Sequence, residues 1–389
     1  MAAALERVLP PALVPLFDAS FIRSSALYDE FVHRLVLAVC RASGLEAALR
    51  EPGTAEDFAA RAGLEPGRAL VPLDWMLRYL AARQVLAEET AGDGIRRYRA
   101  RGSLPELDPS LVREEQRRHD PAWMPSYLLA ETVARDYPAF LRGQAVGEEI
   151  LFSPSRFRLW LAYFSNDNGL YAVNNRVGAL AVEEWMPRGG GTILELGGGL
   201  ASAAAALLER FETPGRLGEI REYRFTELVP VFLARGERVL RTRFPHASLL
   251  TFGRLDMNRP FEAQGVAPGS ISVVYAVNTL HVAHDLAFTL GEVFRALEPG
   301  GRFIISECVR LLPGQAIYVE FIFNLMETFR SPRLHPTYRP NGGFLTPEQW
   351  TGAMEAAGFV DVRFFPDVVG LRTQFPTFNV AAVGATRPR

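Results

Sequence analysis

The chain has 389 residues, 48% apolar and 22% charged, with a net charge of −2. That near-neutral balance gives no bulk attraction to nucleic acid or to an anionic membrane, and the length predicts two or three domains. All 42 basic residues are arginine, which excludes a Schiff-base lysine and a P-loop lysine. Two cysteines, Cys40 and Cys308, lie in apolar runs and are too few for a disulfide framework or a four-cysteine zinc site.

The opening "MAAALERVLPPALVPLF" has Glu6 and prolines where a secretory signal needs an unbroken apolar core. No stretch reaches the roughly 18 apolar residues of a membrane span. The expectation is a soluble, cytoplasmic protein. Residues 25–50 carry Leu27, Phe31, Leu35 and Val39 at a spacing of four, which predicts a helix. "EPGTAEDFAARAGLEP" predicts a short helix capped by Thr54, with Asp57 three residues on. "GRALVPLDWMLRYLAARQVL" follows as a second helix, and "LAEETAGDGIRRYRA" alternates about Asp93–Gly94 as a hairpin does. Helix, helix, hairpin is the winged-helix order, and we assign it to 1–110. Residues 111–188 are punctuated by proline and read as a helical linker or lid.

From 189 to 389 the pattern changes. "GTILEL", "EYRFTEL", "ASLLTFG", "SISVVYAV" and "GRFIISE" read as strands separated by helices, and the chain closes with a capped helix and two further strands. Strands alternating with helices predict a doubly wound, mostly parallel α/β sheet of seven strands, Rossmann-like in class.

The turn after its first strand, "ELGGGLASAAAALL", brings Gly197, Gly198 and Gly199 two residues behind Glu195. Glycine lets the backbone turn tightly and approach a ligand. A carboxylate beside the turn is a poor partner for a pyrophosphate and a good one for an ammonium group. The turn therefore suits the amino-acid end of S-adenosylmethionine better than a dinucleotide. Glu227, followed by Leu228, ends the next strand, where an acid can grip both ribose hydroxyls. Asp256 and Met257 follow the third strand and are candidates for the adenine amino group and ring, and Asn278 begins the loop after the fourth.

On these motifs residues 190–385 resemble the class I S-adenosylmethionine-dependent methyltransferases. "YRFTELVPVFLARGERVL", "VVYAVNTLHVAHDL", "LEPGGRFIISE" and "GGFLTPEQWTGAMEAAGF" are especially similar to the methyltransferase domains of polyketide and peptide synthases. Residues 25–100 resemble the winged-helix dimerisation domain of small-molecule O-methyltransferases, which implies a homodimer through that domain. Two positions depart from the pattern: Ala201 replaces the last glycine of the turn, and Glu227 stands where Asp is commoner.

Neighbouring fourth and fifth strands bring His281 and Glu307 together at the carboxyl edge of the sheet. A histidine oriented by a carboxylate is a plausible general base, and the resemblance implies that role for His281 with Glu307 as its partner. His284 reads as the opening of the next helix beside Asp285. A metal would need a third ligand, for which His335 is the one distant candidate; none is expected. "GQAIYVEFIFNLMETF" is apolar nearly all round, so Tyr318, Phe321, Phe323 and Met326 line a substrate wall or fill a core. The resemblance implies that the segment holding Asn168 and Tyr171 covers cofactor or substrate.

The expectation is a free-standing methyltransferase of secondary metabolism acting on an activated carbon of an apolar polyketide- or peptide-derived molecule, small or carrier-protein-bound. A hydroxyl acceptor is the alternative within the class. A DNA-binding regulator that senses the cofactor is the alternative outside it, disfavoured because "ALVPLDWMLRYLAAR" offers only Arg78 and Arg83 as basic residues.

Overall fold

The computed structural model describes residues 5–389 apart from 91, 93, 214 and 246. The chain divides into two compact units, one containing Phe164–Leu311 and Ser331–Arg389 together with the N-terminal residues up to Asp18, the other Ala19–Tyr163 and Leu312–Arg330.

The helical unit opens with the helix Ala19–Ser43, whose buried face includes Tyr28, Phe31, Leu35 and Val39. Thr54 caps the helix Ala55–Arg61 through a reciprocal box: its backbone N–H donates to the Asp57 carboxylate (2.9 Å) and its hydroxyl accepts from Asp57 N (3.3 Å). Glu65 caps the helix Pro66–Ala82, accepting from the amides of Gly67 and Arg68. Strands β1 (Leu86–Thr90) and β2 (Arg96–Ala100) then pair antiparallel, from Leu86 opposite Ala100 to Thr90 opposite Arg96. Asp93, on which the hairpin was read, lies outside the described residues. In the helix Pro66–Ala82, Arg78 pairs with Asp74 (2.8 Å), and Arg83, just past its end, pairs with Asp29 and lies over the Tyr79 ring; both are engaged within the unit.

The division into 1–110, 111–188 and 189–389 differs from these units at three places. The helices between 109 and 163 join the N-terminal ones, the helix Gly169–Trp185 joins the sheet, and Leu312–Arg330 leaves the sheet for the helical unit. Buried aromatic packing explains the last exchange. Trp75 Nε1 donates to Ile317 O (3.2 Å), Tyr137 Oη donates to Phe321 O (3.1 Å), and the Phe321 and Tyr137 rings stack at 5.0 Å. An apolar run of this kind stays with whichever core removes it from water.

The sheet consists of β3 (Gly191–Glu195), β4 (Ile220–Thr226), β5 (Leu250–Gly253), β6 (Ile271–Val277), β7 (Leu297–Cys308), β8 (Val360–Phe365) and β9 (Val380–Thr386). Their spatial order is β5-β4-β3-β6-β7-β9-β8. All pairings up to β7 are parallel; β9 runs antiparallel between β7 and β8. Every residue of β3 and β6 is buried, as expected of central strands covered on both faces. On one face Gly178 and Gly384 allow a close helix–sheet approach. A Cβ at Gly178 would lie 2.6 Å from Tyr275 Oη, and one at Gly384 would lie 2.4 Å from the Trp185 ring. On the other, Leu290, Val293, Trp350 and Met354 pack with Val274, Phe303 and Ile305. Among the described residues no helix is long and apolar enough to cross a membrane.

Candidate active site

The strand order reverses between β3 and β6, and a parallel sheet binds ligands in the crevice at such a point. Glu195 is the last residue of β3, level with Phe225 on β4 and Tyr275 on β6. Its side chain is buried and accepts a hydrogen bond from Tyr223 Oη (2.9 Å). Burial pushes the carboxyl pKa up to about 8, while the Tyr223 hydrogen bond opposes the rise. A cation arriving beside it would draw the proton off.

The turn that follows needs its glycines for two distinct reasons. Gly197 has φ +62°, and a Cβ there would lie 2.5 Å from Thr279 Cγ2; at Gly198 a Cβ would lie 2.2 Å from the Phe225 ring. Gly199 also has positive φ, but the space its Cβ would enter is open. Ala201 holds the left-handed conformation at φ 65°, fully buried, just before the helix Ser202–Glu212.

Glu227 stands directly past β4. Its two oxygens accept from Gly199 N (2.9 Å) and Val229 N (2.8 Å), so the carboxylate is held in place by the glycine turn and its own loop. Each oxygen retains a lone pair for a hydroxyl donor. Leu228 is exposed next to it. Asp256, half-buried, accepts from Asn258 N (2.9 Å), and Asn258 Oδ1 accepts in turn from His284 N (2.8 Å). Met257 packs against the sheet core, and its carbonyl accepts from Thr289 Oγ1 (3.0 Å).

Asn278, directly past β6, has φ +48° and ties the strand's end to β7. Its N–H donates to Ser306 O (2.8 Å) and its Oδ1 accepts from Cys308 N (3.2 Å). Three residues on, His281 sits in a single 3-10 turn, Leu280–Val282. His281 Nδ1 lies 2.6 Å from Glu307 Oε2, and the other Glu307 oxygen accepts from Thr279 N (3.0 Å) and Leu280 N (2.8 Å). The Phe344 ring packs on the imidazole at 4.5 Å. Arg339, buried, donates to His281 O.

Tyr171 packs on Phe164 at 5.0 Å. Burial raises its phenol pKa, and the charges of Glu195, Glu307 and Glu227 raise it further. Asn168 is buried at the start of the helix Gly169–Trp185, its carbonyl accepting from Ala172 N (2.9 Å).

His284 is exposed, and Asp285 beside it caps the helix Leu286–Ala296 by accepting from Phe288 N (3.1 Å). His335 stacks on Tyr338 at 3.7 Å. Tyr318, Phe321, Phe323 and Met326 belong to the helical unit. There Tyr318 meets the Tyr28 ring edge-on at 5.6 Å, Phe321 stacks on Tyr137, and Phe323 lies 6.3 Å from Tyr163. Tyr223, Arg339 and Phe344 were missed from the sequence. Tyr223 had a legible signal, since it shares a β4 face with Phe225; Arg339 and Phe344 had none.

The donor and acceptor set fits S-adenosylmethionine. A buried carboxyl at Glu195 wants a cation, Glu227 is oriented for a diol, and the glycine turn leaves open space at Gly199. This sheet order is that of the class I methyltransferase fold. Residues 194–303 match the family described as a methyltransferase domain. That match covers the part of the chain from the first strand of the sheet to β7.

Among known proteins, polyketide synthase PksM of Bacillus subtilis is 25% identical over 249 residues, 61% of this chain and 6% of the synthase. The chain thus spans a small part of that relative. The CurJ carbon methyltransferase has the same fold, with a TM-score of 0.78 at 20% identity over 100% of this chain and 98% of that one. The trans-methyltransferase CalH, solved with SAH, gives 0.61 at 18% identity over 93% and 92%.

Proposed function

We propose that this protein methylates an activated carbon beside a carbonyl in an apolar, polyketide- or peptide-derived acyl chain, with His281 as general base and Glu307 as its partner. The 2.6 Å contact between the two side chains carries the reading. Glu307 accepts a hydrogen bond from Nδ1–H, which leaves the imidazole lone pair on Nε2 and stabilises the imidazolium that forms. Its own charge is held by the amides of Thr279 and Leu280. Glu195, Glu227, Asp256, Met257 and Asn278 would hold the cofactor, with Tyr171 and Asn168 near it. When bound, that group supplies an electrophilic methyl on a sulfonium.

The chain's residues have two tasks. They align the acceptor carbon with that methyl at about 3 Å, and they take its proton. His281 Nε2 would accept the C–H proton, and the electron pair left on carbon would form the bond to the methyl that the cofactor supplies as it becomes a neutral thioether. The name of PksM, a polyketide synthase, supports a polyketide-derived substrate, and that of CurJ, a carbon methyltransferase, supports a carbon acceptor. We place homodimer formation through the N-terminal domain in the same proposal, for measurement by light scattering.

The test incubates the protein with S-adenosylmethionine and a β-ketoacyl group, offered as the free acid and tethered to a carrier protein. The product is then located by mass and NMR. A methyl on the carbon between the carbonyls is expected. A methyl on oxygen, or near-full turnover in both His281→Ala and Glu307→Gln, would sink the reading.

A further inference from the structure

The segment after Ser331 returns to the sheet unit and closes over the turn that carries His281. Arg333 N donates to His284 O (2.7 Å), and its guanidinium pairs with Asp285 at 2.6 Å. His335 and Arg339 exchange both backbone hydrogen bonds (2.9 Å each), which fixes a tight loop. From that loop the Arg339 side chain runs inward. Nη2 donates to His281 O and Nη1 to Ala283 O, both at 2.6 Å. Phe344 then packs on the imidazole.

Arg339 is 1% exposed, and Nε has no hydrogen-bond partner among the described residues. An arginine removed from water normally faces a carboxylate in a bidentate fork. Here its donors go to two carbonyls of one turn, and its charge is answered through space by Asp285 and Glu307. Desolvation is large enough to bring its pKa down to about 10, which still leaves it a cation at neutral pH.

We infer that Arg339 is a positioning residue of methyl transfer. Its two hydrogen bonds, to His281 O and Ala283 O, hold the turn that presents the imidazole to Glu307. This rests on His281 acting as the base. Removing the guanidinium frees both carbonyls of the turn, so the imidazole is no longer held against Glu307 and turnover falls while the cofactor residues stay in place.

The experiment measures kcat and KM separately for the full chain and for Arg339→Gln and Arg339→Lys, with the SAH dissociation constant as a check on the cofactor site. Neither replacement spans both carbonyls, so kcat should fall about tenfold in each, with KM and SAH affinity unchanged. Wild-type kcat in Arg339→Gln, or a loss of SAH affinity as large as the loss of kcat, overturns the inference. Should Arg339→Gln not fold, the lysine variant decides alone, and wild-type kcat in it overturns the inference. His281→Ala is run alongside: full activity there defeats the general-base reading itself, which the arginine variants cannot do.

Discussion

Although 26 residues separate them, His281 and Glu307 meet through a 2.6 Å contact, and neither side chain is more than 4% exposed. The turn after β6 delivers the histidine and the end of β7 delivers the glutamate. Strand adjacency alone makes them neighbours. If the pair is the base, His281→Ala lowers kcat by about 10²–10⁴-fold. Glu307→Gln, which keeps the shape but not the charge, lowers it by about tenfold or more. SAH binding measured by calorimetry should be unchanged in both, because neither residue is assigned to the cofactor.

Glu195 makes cofactor affinity depend on pH. Its folded pKa near 8 exceeds the ordinary carboxylate value of 4.5, so below pH 8 the empty site holds a neutral acid. A bound ammonium group favours the ionised form, so binding must expel a proton. Affinity for SAH should accordingly rise between pH 6 and 7.5, by up to about tenfold per pH unit. Calorimetry in buffers of different ionisation enthalpy should register the released proton. Glu195→Gln should bind more weakly and lose both effects.

Gly197→Ala combines a strained φ with a Cβ 2.5 Å from the Thr279 side chain. Thr279 cannot yield easily, since its N–H donates to Glu307 and its hydroxyl to the carbonyls of Gly197 and Val277. A loss of about 1–3 kcal/mol in denaturant unfolding is expected, with weaker SAH binding. Wild-type values in both measurements would contradict this account of the turn.

Thr346 offers a contrasting case. It caps the helix Pro347–Ala356 in a reciprocal box with Gln349 (2.9 and 3.3 Å). Thr346→Ala should cost about 1 kcal/mol of stability and leave turnover per folded molecule unaltered.

Much of the frame was legible because it is written in local patterns. The Thr54–Asp57 box, the strand–helix alternation and the glycine turn each depend on residues a few positions apart, and the parallel sheet follows from that alternation. The proximity of His281 and Glu307 was legible at one remove, through the order of neighbouring strands.

What the sequence by itself determined is thus the class of sheet, the crevice at its carboxyl edge and the acids that end β3 and β4. Periodicity and turn chemistry act over short stretches of chain. Tertiary structure decided the rest. Leu312–Arg330 left the sheet for the helical unit because its aromatic side chains are buried there against Trp75 and Tyr137. Strand register brought the Tyr223 hydroxyl within hydrogen-bonding reach of Glu195. Arg339 reached the His281 turn from 58 residues away, because a guanidinium excluded from water must find acceptors wherever packing leaves them.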